Sequence, residues 1–138
     1  MACIVVIGPD TALLEGISQT LVGAGHQVVV TKDIPEALEN LRGTRPLVAV
    51  VHRDELLTGG AIFRIPLANG GALISFHSDE STAAALPFTL QRVLLADLVL
   101  PLERQRLLAL LRFVASRAEA AGRESTLDGD EYFDRTPG

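Results

Sequence analysis

The chain has 138 residues, of which 48% are apolar and 21% are charged. This length and composition are typical of one packed domain and exclude a chain that is disordered throughout. The formal net charge of −5 disfavours nonspecific nucleic-acid binding, for which basic surfaces are the rule. The single cysteine allows no internal disulfide, and the sequence contains neither a signal peptide nor an apolar stretch long enough to cross a membrane. We therefore expect a cytoplasmic protein that acts away from nucleic acid and membranes.

Five short apolar runs alternate with segments of helical periodicity. The first run is apolar throughout, which is typical of a strand that is buried on both faces of a parallel sheet. The five runs cover residues 3–7, 27–31, 47–51, 72–76 and 94–100. This alternation of strands and helices predicts an α/β fold with a parallel sheet.

The first two helices have recognisable start signals. Asp10 or Thr11 is expected to cap the first helix, which runs to about Ala24 and repeats apolar residues every three or four positions. Asp33 and Glu36 have the spacing of a capping box, in which each side chain binds a backbone N–H group at the start of the second helix. These signals predict two helices whose apolar stripes pack against the sheet.

Prolines and glycines weaken the helices in the middle of the chain. Pro66 and four glycines leave room for only a short or broken third helix within residues 52–71. A fourth helix is expected to begin at residues 79–81 and to kink or end near Pro87. The fifth helix, predicted over residues 102–121, has the clearest amphipathic pattern and repeats leucine on its core-facing side.

The composition changes after residue 121. Residues 122–138 contain five acidic and two basic side chains, which gives this segment a net charge of −3. We expect residues 1–121 to form one domain and residues 122–138 to form a flexible acidic tail. The alternative is a segment that docks on a partner through Tyr132 and Phe133.

The order of these elements resembles that of the receiver domain of two-component response regulators, the CheY-like domain, over about residues 2–120. Residues 45–51 are similar to the family's segment entering the phosphorylation strand, and residues 98–102 are similar to its Lys-Pro-Phe junction before the last helix. Gly60 lies eight residues after position 52, the family's distance from the phosphorylated aspartate to a loop glycine. The resemblance implies a flavodoxin-like, doubly wound sheet of five parallel strands in the order 2-1-3-4-5.

The sequence departs from the family at the phosphoryl acceptor. In receivers, acidic residues after the first strand hold Mg²⁺, and an aspartate at the end of the third strand attacks the phosphoryl group. Gly8 and Pro9 occupy the matching acidic positions, with Asp10 the acid left nearby. His52 occupies the position of the attacking aspartate. Asp54 is the candidate for a shifted acceptor, although it would lack both the metal and a cationic partner.

The phosphate-binding side of the family's site is altered as well. A receiver uses a threonine or serine after the fourth strand and a lysine after the fifth strand to bind the new phosphoryl group. His77 occupies the hydroxyl position, with Ser78 directly after it, and Leu100 occupies the lysine position. Asp97 stands at the aromatic switch position, while the junction proline is retained as Pro101. The resemblance therefore implies a degenerate receiver, or pseudo-receiver, with no cofactor and no catalytic residue.

A degenerate receiver is expected to signal through protein contact instead of phosphoryl transfer. In the family, the fourth helix, the fifth strand and the fifth helix carry the output. The residues of this chain expected on that surface are Asp97, Arg106, Leu110 and Phe113. The fifth helix has more apolar side chains than one face needs, so we expect apolar surface left for a protein partner or a second copy of the chain. The sequence thus predicts a non-enzymatic module of a two-component or phosphorelay pathway.

A second hypothesis treats the same end of the sheet as a binding pocket. His52 and His77 are expected at the ends of neighbouring strands, with Asp10 beside them, and two imidazoles with one carboxylate could form a metal site. The alternative function is therefore a sensor of a metal ion or a small molecule. Hydrogen-bonded histidines at the rim of an emptied pocket are the simpler interpretation of the same residues.

Overall fold

The computed structural model describes residues 3–58, 65–78 and 87–129. Five strands and five helices alternate along this part of the chain. The strands are β1 (Cys3–Ile7), β2 (Gln27–Thr31), β3 (Val48–His52), β4 (Ala72–His77) and β5 (Leu94–Val99). The helices are α1 (Thr11–Gly23), α2 (Ile34–Asn40), α3 (Arg53–Thr58), α4 (Phe88–Gln91) and α5 (Arg104–Gly129). The bounds of each predicted strand differ from the observed ones by one residue at most.

The strands form one parallel sheet with the order β2-β1-β3-β4-β5. This order confirms the α/β fold and the doubly wound, flavodoxin-like topology expected from the sequence. β2 and β5 are the two edge strands, so the carboxyl ends of β1, β3 and β4 meet in the middle of one rim. The register sets His52 beside Phe76 and Ser75 beside Asp97. These pairings determine which candidate residues can touch one another.

Helices cover both faces of the sheet, and each face has its own apolar core. The first core lies beneath α1 and α5 and includes Val50 and Phe76 of the sheet. The second core lies beneath α2, α3 and α4 and includes Val51 and Leu73. Because successive strand residues point to opposite faces, a shift of one position along a strand moves a side chain from one core to the other.

The start signals of α1 and α2 are confirmed. The Asp10 carboxylate accepts a hydrogen bond from the Leu13 N–H group at 3.1 Å. Asp33 accepts one from the Glu36 N–H group at 2.9 Å. The Glu36 carboxylate reaches back to the Lys32 N–H group at 2.8 Å, one residue before the group that a capping box uses. Each cap satisfies backbone donors that the first turn of a helix leaves unpaired.

The two helices on either side of β4 are short. α3 has six residues, as expected for a short third helix, and α4 has four. Pro87 is the N-cap residue of α4, so this helix begins directly after the proline. A proline is tolerated there because a residue before the first turn does not donate its N–H group to the helix. Residues 79–86, where we expect the fourth helix to begin, and Gly60 lie outside the described residues.

α5 ends later than the sequence predicts. It is expected to stop near Ala121, but its backbone is helical to Gly129, which includes eight residues of the predicted tail. Once a helix has formed, each further residue adds a hydrogen bond at little cost, and no proline interrupts this stretch. Residues 130–138, the rest of the predicted tail, lie outside the described residues. Neither α5 nor any other helix in the described part of the chain is long and apolar enough to span a membrane.

Candidate functional site

Gly8 lies directly after β1, at the rim where a receiver places its metal-binding acids. Its N–H group donates a hydrogen bond to the Thr31 carbonyl oxygen at 3.1 Å, which holds this loop against the end of β2. A Cβ atom at Gly8 would meet three side-chain atoms at 3.2 to 3.4 Å, on His52, Phe76 and Leu14. Core side chains therefore occupy the space that a carboxylate would need.

His52 is the last residue of β3, at the position that the resemblance assigns to the phosphorylated aspartate of a receiver. Its Nδ1 atom accepts a hydrogen bond from the Asp54 N–H group at 3.1 Å, so the ring caps the start of α3. The ring also packs edge-on against Phe76, with centroids 5.3 Å apart and an interplanar angle of 88°. The Asp54 side chain is 75% exposed, with Oδ2 3.8 Å from His52 Nδ1. Asp54 therefore lies on the solvent side of α3 and does not take the place of His52.

The three residues of the metal hypothesis do not converge. His52 follows Val50 by two positions and shares its face, whereas His77 follows Phe76 by one position and lies on the other face. Asp10 is exposed and caps α1. Among the described residues, no group of three or more potential ligands from histidine, cysteine, aspartate and glutamate is placed to hold a metal ion. The two histidines lie at the ends of the neighbouring strands β3 and β4, as expected, but their side chains point to opposite faces of the sheet and do not converge.

Leu100, at the position that the resemblance assigns to the receiver lysine, is fully buried in the first core. Its N–H group donates a hydrogen bond to the His77 carbonyl oxygen at 2.9 Å, which continues the pairing of β4 with β5. The bond from Leu100 to Pro101 is cis, and Pro101 and Pro9 are both exposed at this rim. Ser78 is half-buried directly after β4. An alkyl side chain that is packed in a core offers no charge to a phosphoryl group.

A polar cluster on the second-core face brings together side chains from α3, β4 and β5. Ser75 Oγ donates a hydrogen bond to Asp97 Oδ1 at 2.6 Å. Arg53 Nη2 lies 3.5 Å from Asp97 Oδ2, and His77 Nδ1 lies 3.8 Å from Asp97 Oδ1. Ser75 is fully buried, and the Arg53 side chain is 14% exposed. We call Arg53, Ser75, His77 and Asp97 the Asp97 cluster.

The Asp97 cluster contains two buried nitrogen atoms without a hydrogen-bond partner among the described residues. Within the described residues, Arg53 Nε and His77 Nδ1 are buried and form no hydrogen bond. His77 and Asp97 are candidates from the sequence for separate reasons, and no sequence pattern indicates Arg53 and Ser75 as their partners. The signal that could have found Ser75 is the register between β4 and β5, which sets it beside Asp97 and is known only once the strand order is known.

Four of the eight large apolar side chains that are exposed in the described part of the chain belong to α4, β5, α5 or the turn between α4 and β5; we call this region the α4–β5–α5 surface. Of the residues expected there, Phe113 is 49% exposed and Leu110 packs partly against the first core. Arg106 is exposed and pairs with Glu103 at 3.2 Å, whereas Asp97 belongs to the Asp97 cluster. The sequence analysis missed three further exposed apolar residues on this surface, namely Phe88, Val93 and Leu95.

Arginines border this apolar surface. The guanidinium group of Arg92 lies 5.9 Å from the ring centroid of Phe88, and that of Arg117 lies 5.5 Å from the ring centroid of Phe113. A guanidinium group above an aromatic face keeps its charge while it covers part of the ring. The α4–β5–α5 surface thus combines apolar and positive character.

Comparison with known proteins identifies the fold. Neither a protein-family model nor a curated protein matches the sequence. A receiver domain protein from Clostridium thermocellum is 18% identical, with a TM-score of 0.68 over 88% of this chain and 99% of that chain. A CheY-like receiver domain protein from Methanospirillum hungatei JF-1 is 20% identical, with a TM-score of 0.65 over 87% and 98%. The pseudo-receiver domain of the CikA protein is 18% identical, with a TM-score of 0.62 over 83% and 98%.

These similarities concern the fold and extend over nearly the full length of each of the three domains. The strand order β2-β1-β3-β4-β5 is the order of CheY-like domains. The helices that cover both faces of the sheet agree with the same doubly wound arrangement. The chain therefore has the fold of a response-regulator receiver domain.

Proposed function

We propose that this chain is a receiver-like signalling module of a two-component or phosphorelay pathway that works without an aspartyl phosphate. The module comprises residues 1–121, and its function is protein–protein interaction in the cytoplasm, without catalysis. The receiver fold supports the signalling role, and one of the similar structures is itself a pseudo-receiver domain. The side chains at the rim of the sheet support the absence of phosphoryl transfer.

The packing around Gly8 is the observation that carries this proposal. Mg²⁺ needs several hard oxygen ligands, yet even a Cβ atom at Gly8 would crowd its neighbours at 3.2 to 3.4 Å. At the same rim, His52 uses Nδ1 as a helix cap and Leu100 is buried in the first core. The metal-binding acid, the attacking carboxylate and the cation are thus replaced together: by Gly8, which has no side chain, by the helix-capping His52 and by the buried Leu100.

The contacts of the Asp97 cluster support an α4–β5–α5 surface in which β5 keeps one fixed position. Asp97 stands at the position that the resemblance assigns to the aromatic switch. It is tied to Ser75 on β4 at 2.6 Å and to Arg53 on α3 at 3.5 Å. These contacts join α3, β4 and β5 directly. They hold β5 in its position without a phosphoryl group. Any switching of this module then comes from the binding of a partner.

We place the partner contact on the α4–β5–α5 surface. Phe88 is 71% exposed, and Val93, Leu95 and Phe113 are each exposed by 40% or more. Clustered apolar side chains of this kind are typical of protein interaction sites, in which aromatic and arginine side chains supply most of the binding energy. The bordering arginines favour a partner protein with an acidic rim, because charge complementarity guides association.

Incubation with acetyl phosphate and Mg²⁺, followed by measurement of the intact mass, tests the proposal. We expect no stoichiometric gain of a phosphoryl group, because His52 would have to accept it without a metal ion to neutralise the transferred oxygens. A receiver that has the complete acidic set is treated in parallel as the control for the reagent. A gain of one phosphoryl group that Asp54→Asn or His52→Ala abolishes would overturn the proposal.

A further inference from the structure

The α4–β5–α5 surface contains a groove between α5 and the sheet, which we call the Phe113 groove. Its volume is ≈ 310 Å³, which is at the lower end of the range of about 300–1,000 Å³ for small-molecule sites. Its walls are formed by Gly71, Ala72 and Leu95 on the sheet side and by Phe113, Val114 and Arg117 on α5. Phe113 is 49% exposed and Leu95 is 40% exposed, so the groove is apolar and open. A site of this shape suits one or two side chains of a peptide.

Arg117 gives the Phe113 groove a positive rim. Its guanidinium group lies 5.5 Å from the ring centroid of Phe113, and it forms no salt bridge within the described residues. A cation that already rests on an aromatic ring can accept an acidic partner without losing the ring contact. The groove therefore favours a segment that combines aromatic and acidic side chains.

This chain contains one segment of that character. Residues 128–134 hold four acidic side chains, no basic side chain, and the adjacent aromatic residues Tyr132 and Phe133. The tyrosine is the only one in the chain. Aromatic side chains flanked by acids are complementary to an apolar groove with an arginine at its rim, in both shape and charge.

The length of α5 determines whether this segment can reach the Phe113 groove of its own chain. Since α5 is helical to Gly129, Phe113 lies about 24 Å back along the helix at 1.5 Å per residue. The four residues 130–133 extend over about 14 Å at most. Phe133 therefore cannot reach Phe113 of its own chain, so a Phe113 groove that accepts this segment belongs to another copy.

We propose that residues 130–134 of one copy dock in the Phe113 groove of a second copy, with Tyr132 and Phe133 against the apolar walls and the acids beside Arg117. Two antiparallel α5 helices would place each segment on the other copy's groove, which gives a two-fold dimer with two identical contacts. Because the groove is part of the α4–β5–α5 surface, the dimer competes with the partner contact and regulates it. The inference rests on the proposed function for that regulatory role alone.

Sedimentation velocity of mixed variants tests this exchange. The unchanged chain is expected to form a concentration-dependent dimer. A groove variant, Phe113→Ala, and a segment variant, Tyr132→Ala with Phe133→Ala, are each expected to dissociate at least about tenfold more readily. An equimolar mixture of the two is expected to form heterodimers, because one intact groove then meets one intact segment. A monomeric unchanged chain, variants that dimerise as it does, or a mixture that stays monomeric would each reject the proposal.

A pair of charge-reversal variants provides a second test, because restored association in their mixture shows that both variants are folded. Arg117→Glu is expected to weaken the dimer, and mixing this variant with Glu131→Arg chains is expected to restore association by pairing the two reversed charges. Arg112→Glu makes the same charge change at an exposed neighbouring position of α5 outside the groove lining and is expected to leave the dimer intact. Equal weakening by Arg112→Glu and Arg117→Glu would reject the specific contact. A chain that is monomeric and still binds a partner on the α4–β5–α5 surface would reject this inference and leave the proposed function standing.

Discussion

Gly8 has no side chain, yet its surroundings determine what the rim of the sheet can bind. The atoms nearest to an added Cβ belong to His52, Phe76 and Leu14, at 3.2 to 3.4 Å. An aspartate at this position would have to move these neighbours and to bury its charge against apolar atoms that cannot pair with it. A single substitution that restores the acid would therefore not restore a metal site.

The crowding at Gly8 predicts that an alanine substitution destabilises the fold at Gly8 but not at Gly16. We expect Gly8→Ala to lower the free energy of unfolding by about 1–3 kcal/mol, the usual cost of overpacking a core, and Gly8→Asp to lower it further. Gly16→Ala is the matched control, because a Cβ atom at Gly16 on α1 would have no neighbour within 4 Å. That change is expected to stabilise the helix by up to about 1 kcal/mol. Urea denaturation of the three variants measures the contrast, and equal stability of the two alanine variants would contradict it.

The junction between β5 and α5 is closed by Glu103. Its Oε1 atom accepts a hydrogen bond from the Val99 N–H group at 2.7 Å, while its own N–H group donates to the Val99 carbonyl oxygen at 2.7 Å. Its Oε2 atom lies 3.2 Å from Arg106 Nη1. These contacts join the last residue of the strand to the first turn of the helix. The hydrogen bond from Val99, followed by that from Arg106, holds the pKa of Glu103 below its ordinary value of 4.5.

This lowered pKa predicts how stability depends on pH. As the pH falls below 4.5, the Glu103 carboxylate becomes protonated in the unfolded chain while it stays ionised in the folded chain. The stabilisation that Glu103 gives the folded state is therefore complete above this pH and is lost as the pH falls through the lower folded pKa. We expect the free energy of unfolding to fall less steeply in this acid range for Glu103→Gln than for the unchanged chain. Glu119→Gln removes an exposed carboxyl from the same helix and controls for the lost charge. Identical slopes for Glu103→Gln and the unchanged chain would contradict this assignment.

The two edges of the sheet differ in what surrounds them. Val30 on β2 is 39% exposed, and Leu95 on β5 is 40% exposed, so the two edge strands each present an apolar side chain of similar exposure. Only the β5 edge is flanked by further exposed aromatic residues, Phe88 and Phe113, within the described part of the chain. The receiver fold therefore has one side that is better suited to a partner than the other.

The two edges also supply a matched test of where a partner binds. A photo-reactive amino acid is introduced at Leu95 in one variant and at Val30 in another, and each is irradiated in the cell of origin. We expect covalent adducts with a partner from the Leu95 variant and few from the Val30 variant, because their exposure is similar and their surroundings differ. Adducts mainly from the Val30 variant would move the partner contact to the opposite edge of the sheet.

Local sequence patterns were sufficient to predict the elements of this protein and their order. Asp10 and Asp33 predict helix starts because a capping side chain acts on a backbone group only a few residues away, and both caps are present. Apolar runs predict the strands for a similarly local reason, since a strand buried on both faces needs no polar residue. The predicted end of α5 near Ala121 is wrong because the change of composition after this residue does not stop the helix, which continues to Gly129. From the order of the elements, the resemblance to receivers gave the sheet topology.

Which side chains are in contact depends on the tertiary structure. His52 and His77 are neighbours along the rim, yet the alternation of side chains sends them to opposite faces of the sheet. Asp97 was expected at an interaction surface, but the register with β4 ties it to Ser75, which lies 22 residues away in the chain, and Arg53 approaches it from α3. Strand register and burial depend on atoms that folding brings together from distant positions. Sequence patterns describe only residues that are close along the chain. The packed rim at Gly8 and the Asp97 cluster involve residues that are distant along the chain, so they could be identified only in the folded structure.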